Sequence, residues 1–185
     1  MIDGILKESK PKMQASIAAF SAELSKIRTG RANPAILDGI MVSYYGTNTS
    51  IKEVATISVP ESNQIVAKPW DRNALGAIET AIRNSDIGLA PVNDGQQIRL
   101  MLPPMTEERR REIASQVRKM AEEAKISVRN VRRESWDKVQ TAEKNNEATE
   151  DDRRWAEEEL NKMVNDMNKE VDRVAAEKEA EVMKI

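Results

Sequence analysis

Ile113, Val117, Met120, Ala124, Val128 and Val131 recur at steps of three and four residues, the spacing of one narrow apolar seam on a long α-helix. Two further segments carry the same signature. One runs through Ile2, Ile5, Leu6, Met13, Ile17, Phe20, Leu24 and Ile27; the other through Ala156, Leu160, Met163, Met167, Val171, Val174 and Val182. Start signals precede the later two. Thr106 can cap free backbone amides ahead of Glu107 and Glu108, Thr149 stands before Glu150-Asp151-Asp152, and polar residues near Asn145-Asn146 separate the pair. Each of these rods would hold about 35 residues and measure about 50 Å. A lone antiparallel pair would leave the first stripe in water, so the three seams predict an antiparallel three-helix bundle built from both ends of the chain. Pro11 is expected to kink the first helix or open a fresh first turn, because it cannot donate to the preceding turn. Gly30 and then Asn33-Pro34 are expected to end it.

Residues 31–104 differ in kind. Strand-like runs stand at 40–45, 54–59, 64–68 and 97–102, with turns predicted at Gly46-Thr47-Asn48 and Asn93-Asp94-Gly95. Asp71 could cap a short helix whose apolar face is Ala74, Leu75, Ile78, Ala81 and Ile82. The fold class is therefore α+β with two domains. Residues 1–30 and 105–185 form the bundle, and 31–104 an inserted β-rich domain, with hinges near 30–34 and 102–105. Gly30 reads either as a left-handed helix stop or as a mechanical joint, and Pro103-Pro104 either stops a strand or restricts how the joint bends.

Aromatic residues make up only 3% of the chain and charged residues 32%, a mix suited to solvated helices with narrow seams. With no Cys and no His, thiol and imidazole chemistry is excluded, together with the metal sites those groups build. No G-x-x-x-x-G-K-S/T phosphate loop occurs, and neither cofactor nor catalytic residue is expected. No apolar run approaches a membrane span and no export or transit peptide is evident, so the expected compartment is the cytoplasm.

The charge is arranged in blocks. Residues 109–133 hold nine cations (Arg109, Arg110, Arg111, Arg118, Lys119, Lys125, Arg129, Arg132, Arg133) against three acids, and residues 134–185 hold nine against sixteen. At about 100° per residue, the line Arg111, Arg118, Lys125, Arg129, Arg132 lies roughly 115° from the apolar seam. Two readings follow. The cations either solvate an outer face and pair with acids of the third helix, or present themselves to a polyanion such as RNA, which arginine grips through a planar fork.

Three motifs, Arg28-Thr29-Gly30-Arg31-Ala32-Asn33-Pro34, Pro103-Pro104-Met105-Thr106-Glu107-Glu108-Arg109-Arg110 and Val128-Arg129-Asn130-Val131-Arg132-Arg133, appear in an order that resembles bacterial ribosome recycling factors over essentially the full length. The resemblance implies an L-shaped, tRNA-like, monomeric translation factor. Its partners would be RNA of the large ribosomal subunit and the GTPase elongation factor G, with no DNA or membrane involved, and its action would be to split ribosomes after termination. The resemblance places RNA contacts at Arg110, Arg129 and Arg132, with Arg28 and Arg31 near the hinge. The basic stripe adds Arg118, Lys125 and Arg133. Hinge residues are expected at Gly30, Arg31, Pro103, Pro104 and Met105. Pro11, Met105 and Trp136 depart from the family pattern. A helical adaptor whose seams bind partner helices, with no specific RNA contact, is the alternative from another class.

Trp136 and Trp155 flank the turn between the second and third helices, which predicts that they stack on one another. A base-stacking Trp136 is the second reading. Trp70 is expected in the core of the insert.

Overall fold

The computed structural model describes residues 1–184. The chain divides into two compact units, one made of Met1–Thr29 with the chain from Thr106 onward, the other of Gly30–Met105.

The first unit consists of α1 (Ile2–Ser25), α4 (Glu107–Lys144) and α5 (Glu150–Met183), and each of the three packs on the other two. Ser9 meets Ser135 and Ser16 meets Ser127 across the α1–α4 boundary, a pairing that requires those two helices to run antiparallel. Arg118 with Glu179 and Lys125 with Asp172 establish the same for α4 and α5. The predicted seams form the core, with Met13, Val117, Val128, Ala156, Leu160 and Val171 all fully buried, and Val139, beyond the predicted seam of α4, joins them. Met120, Val131, Met163 and Met167 sit half-buried at its margin.

Local chemistry explains the ends of the long helices. Thr106 Oγ1 accepts from Arg109 N at 3.2 Å. Thr149 and Asp152 form a reciprocal capping box, each side chain accepting from the other's backbone N–H. Between them, Asn146 takes a left-handed φ of 58°. Glu147 N donates to Ala142 O and Asn146 N to Glu143 O, the paired bonds of a Schellman stop.

α1 departs from expectation at two points. It passes Pro11 without restarting. It also ends at Ser25 rather than at Gly30, because Lys26 N and Ile27 N turn back to Glu23 O and Leu24 O in tight i→i+3 bonds. Gly30 is left-handed (φ 72°), but it lies beyond the helix and does not cap it.

The second unit holds β1 (Met41–Tyr44), β2 (Thr47–Ser50), the single turn α2 (Ile51–Val54), β3 (Ala55–Glu61), β4 (Gln64–Pro69), α3 (Leu75–Arg83), β5 (Pro91–Asn93) and β6 (Ile98–Met101). The first two strands make a hairpin; the other four make an antiparallel sheet ordered β3-β4-β6-β5. Leu37, Val42, Ile51, Ile65, Ile78, Ile98 and Leu100 fill its core with no exposed surface.

β2 occupies what the sequence presents as a turn. The loop is instead Tyr45-Gly46, both at positive φ, as a two-residue type I′ hairpin demands. Asp71 does cap, by accepting from Asn73 N at 2.9 Å, but it caps the 3-10 turn Arg72–Ala74 that leads into α3. Trp70 is not a core residue. It lies one residue past the end of β4 and is 68% exposed. Its indole N–H donates to Thr56 Oγ1 at 2.7 Å.

Candidate functional site

The basic residues of α4 fall into three groups. At the start of the helix, Arg109 pairs with Glu112 and Arg111 with Glu107, both within α4 and both well exposed. Arg110 is half-buried.

The middle group reaches across to α5. Arg118 grips Glu179 with two bonds of 3.1 Å, from Nε and Nη2. Seven residues on, the Lys125 ammonium lies 2.7 Å from Asp172, itself seven residues before Glu179. Hydrogen bonding to Glu179 raises the pKa of Arg118, and hydrogen bonding to Asp172 raises that of Lys125. These are rungs of a helix pair, spaced by the heptad. Part of the line expected to face solvent is thus engaged by acids of the neighbouring helix.

The third group is different. The heptad continues to Arg132 on α4, whereas the α5 column continues to Asn165, which carries no charge. Arg132 is half-buried, and its Nε donates to Asn161 Oδ1 at 2.9 Å. Among the described residues it has no acidic partner. Arg129 and Arg133 are exposed and make no ion pair or hydrogen bond among the described residues. Residues three and four apart share a helix face, so Arg129, Arg132 and Arg133 concentrate three uncompensated charges over one turn of a packed rod.

Trp136 follows directly but does not stack on Trp155. The Arg153 guanidinium lies over its ring at 6.0 Å, with Nε of that arginine held by Glu143 at 3.1 Å. The indole also packs on the bundle core cluster that includes Val139 and Ala156. Trp155 is 44% exposed. The arginine, placed by the turn between α4 and α5, takes the position predicted for the second indole.

The expected hinge residues lie at the unit boundary. Ala32 N donates to Ser62 O at 2.7 Å and Leu102 N to Asn63 O at 2.8 Å. Both connecting strands are therefore clamped to the β3–β4 turn. Outside those clamps, a Cβ added to Gly30 would come within 2.8 Å of Met105 Cγ. Arg28 and Arg31 are exposed, as are Pro103 and Pro104. Asn161 carries no mark in the sequence: the column Glu179, Asp172 leads to the neutral Asn165, one turn away from it.

No group of His, Cys, Asp and Glu able to hold a metal occurs among the described residues, and no helix among them is long and apolar enough to cross a membrane.

A three-helix bundle that carries a small antiparallel unit as an insertion, with guanidinium groups exposed on one helix, defines a two-unit α+β protein with a basic face open to a polyanion. Residues 20–183 match the family model described as ribosome recycling factor. The chain is 48% identical to the ribosome-recycling factor of Nitratidesulfovibrio vulgaris over 184 residues, covering 100% of this chain and 99% of that one. It is 44% identical to that of Bacillus subtilis over 181 residues, covering 98% of each. A solution structure of the ribosome recycling factor superposes with a TM-score of 0.75 at 41% identity, over 100% of this chain and 98% of that one. A structure described as models for the T. thermophilus ribosome recycling factor and the E. coli elongation factor G bound to the E. coli post-termination complex matches with a TM-score of 0.63 at 38% identity over the full length of both chains. This chain belongs to the ribosome recycling factor family.

Proposed function

We propose that the protein docks on the large ribosomal subunit after termination and, with elongation factor G and GTP, splits the post-termination complex so that ribosomes can initiate again. The observation that carries this reading is the set of exposed or half-buried guanidinium groups at Arg129, Arg132 and Arg133, which form no ion pair with an acid among the described residues. Such groups bind folded RNA through phosphates, with affinity that falls as salt rises. Arg118 and Lys125 add positive potential but are first of all rungs between α4 and α5; Arg110, Arg28 and Arg31 extend the same reading along the chain.

The protein acts by position and leverage rather than by catalysis, and the partner GTPase supplies the chemical energy. Stiffness is what the bundle contributes. The insert moves as one body about the short stretches outside the clamps at Ala32 and Leu102, that is, at Gly30-Arg31 and Pro103-Pro104-Met105. The cytoplasm is the compartment where this work is done. The adaptor alternative has less to work with, since the seams of α1, α4 and α5 are consumed against one another.

Co-sedimentation with purified large subunits tests the reading. Arg132→Ala should weaken association by about tenfold or more, in line with the loss of a charge-assisted phosphate contact, and leave helical circular dichroism unchanged. Unaltered association would refute it.

A further inference from the structure

The heptad ladder between α4 and α5 has two charged rungs and then one neutral rung. Arg118 meets Glu179 and Lys125 meets Asp172, each cation spending its charge on a carboxylate. Arg132, seven residues further along α4, meets not Asn165, which continues the α5 column, but the amide of Asn161 one turn beyond it. The atoms used also differ. Arg118 gives Nε and Nη2 together, the whole edge of the fork, to Glu179. Arg132 gives Nε alone, and its two terminal nitrogens make no hydrogen bond or ion pair among the described residues.

We infer that Asn161 is a positioning residue: its amide oxygen holds the Arg132 guanidinium by Nε, fixing the fork's direction without cancelling its charge, and so presents the terminal nitrogens to phosphate. The inference rests on the reading of Arg132 as a ribosomal contact. An amide suits the task better than an acid or an alkyl group. A carboxylate would tether the guanidinium equally well but compete with phosphate for it. An apolar residue would leave a long side chain free to sample many rotamers, and the freedom lost on binding would then be charged against affinity.

Three variants of the full chain separate the possibilities, each measured for association with purified large subunits across a salt series. Asn161→Asp should bind about threefold to fivefold more weakly, because an exposed ion pair must open before phosphate can replace it. Its salt slope should also fall by about one counterion. Asn161→Gln, which keeps the amide, should bind more tightly than Asn161→Asp and keep the parent slope. Ala176→Asp is the control for net charge. It places the same carboxylate on an exposed position of α5 about 22 Å along the helix, beyond a Debye length of about 8 Å, and should bind like the parent. Arg132→Ala in parallel keeps two failures apart. If Arg132→Ala is weak but Asn161→Asp matches the parent, the positioning role is overturned while the docking surface stands. If Arg132→Ala also matches the parent, the docking surface itself falls. An equal loss in Asn161→Asp and Ala176→Asp would assign the effect to net charge and overturn the inference.

Discussion

Ser9 and Ser135 show how finely single side chains are placed in this bundle. They are 1% and 5% exposed, and their hydroxyls lie 2.6 Å apart across α1 and α4. Each also lies within reach of the carbonyl one turn back, Ile5 O at 2.7 Å and Val131 O at 2.9 Å. Two hydroxyl hydrogens thus serve three contacts, and the proton between the serines is shared with the backbone of one helix or the other. Small polar residues of this sort interrupt a seam without breaking it, and an apolar pattern does not reveal them. Gly30 is the opposite case, legible as glycine but for a reason that emerges only in three dimensions. Its backbone is left-handed and the place of its missing side chain is filled by Met105. Gly30→Ala should therefore lose about 1–2 kcal/mol from the left-handed backbone alone, with more from the Met105 contact. A shift of that size in the urea midpoint checks it; an unchanged midpoint would mean that the segment simply relaxes.

Among the elements, those set by caps and periodic seams were readable and those set by partners were not. Thr106 and Thr149 open α4 and α5 where the residues indicate, because capping chemistry is local. β2, by contrast, is Thr47-Asn48-Thr49-Ser50, with no apolar residue to mark it; only pairing with β1 makes it a strand. The three-residue β5 begins with proline at a sheet edge, and it too owes its existence to its neighbour. The heptad rungs were hidden for the same reason, since a stripe drawn on one helix says nothing about which acids stand opposite. The α5 cap also makes a pH prediction. Backbone N–H donation from Thr149 holds the Asp152 carboxyl below its ordinary pKa. Its stabilising contribution is complete above the unfolded carboxylate value of about 3.9 and disappears as pH falls through the lower folded value. Asp152→Asn should lower the thermal midpoint at pH 7, and the gap from the parent should close as pH drops to about 2, below the ordinary carboxylate range. A gap that stayed constant across the acid limb would argue against the capping box as its source.

At the scale of the whole molecule, long unbroken helices and short connections belong to different segments. α4 has 38 residues and α5 has 34, so the rods run about 57 and 51 Å without a break. The connections are only a few residues each, and two of those residues are prolines. Pro103→Gly with Pro104→Gly should preserve association with large subunits but slow splitting by elongation factor G several-fold, because a loosened connection transmits less of the push. Parent-rate splitting by the double variant would show that proline stiffness is irrelevant. The α1–α4 contacts also bear on how the chain is made. The second unit is one uninterrupted stretch, Gly30–Met105, whereas α1 is translated first and its packing partners last. A nascent chain therefore carries α1 with its oily side uncovered until at least Val128 and Leu160 have been synthesised, while the insert finishes folding independently behind it. A chain stopped at Met105 should show slow amide hydrogen exchange in strands 55–69 and 98–101 and fast exchange throughout 2–25. For this molecule the beginning of the chain is the last part to acquire its structure, which leaves α1 the segment most in need of protection during synthesis.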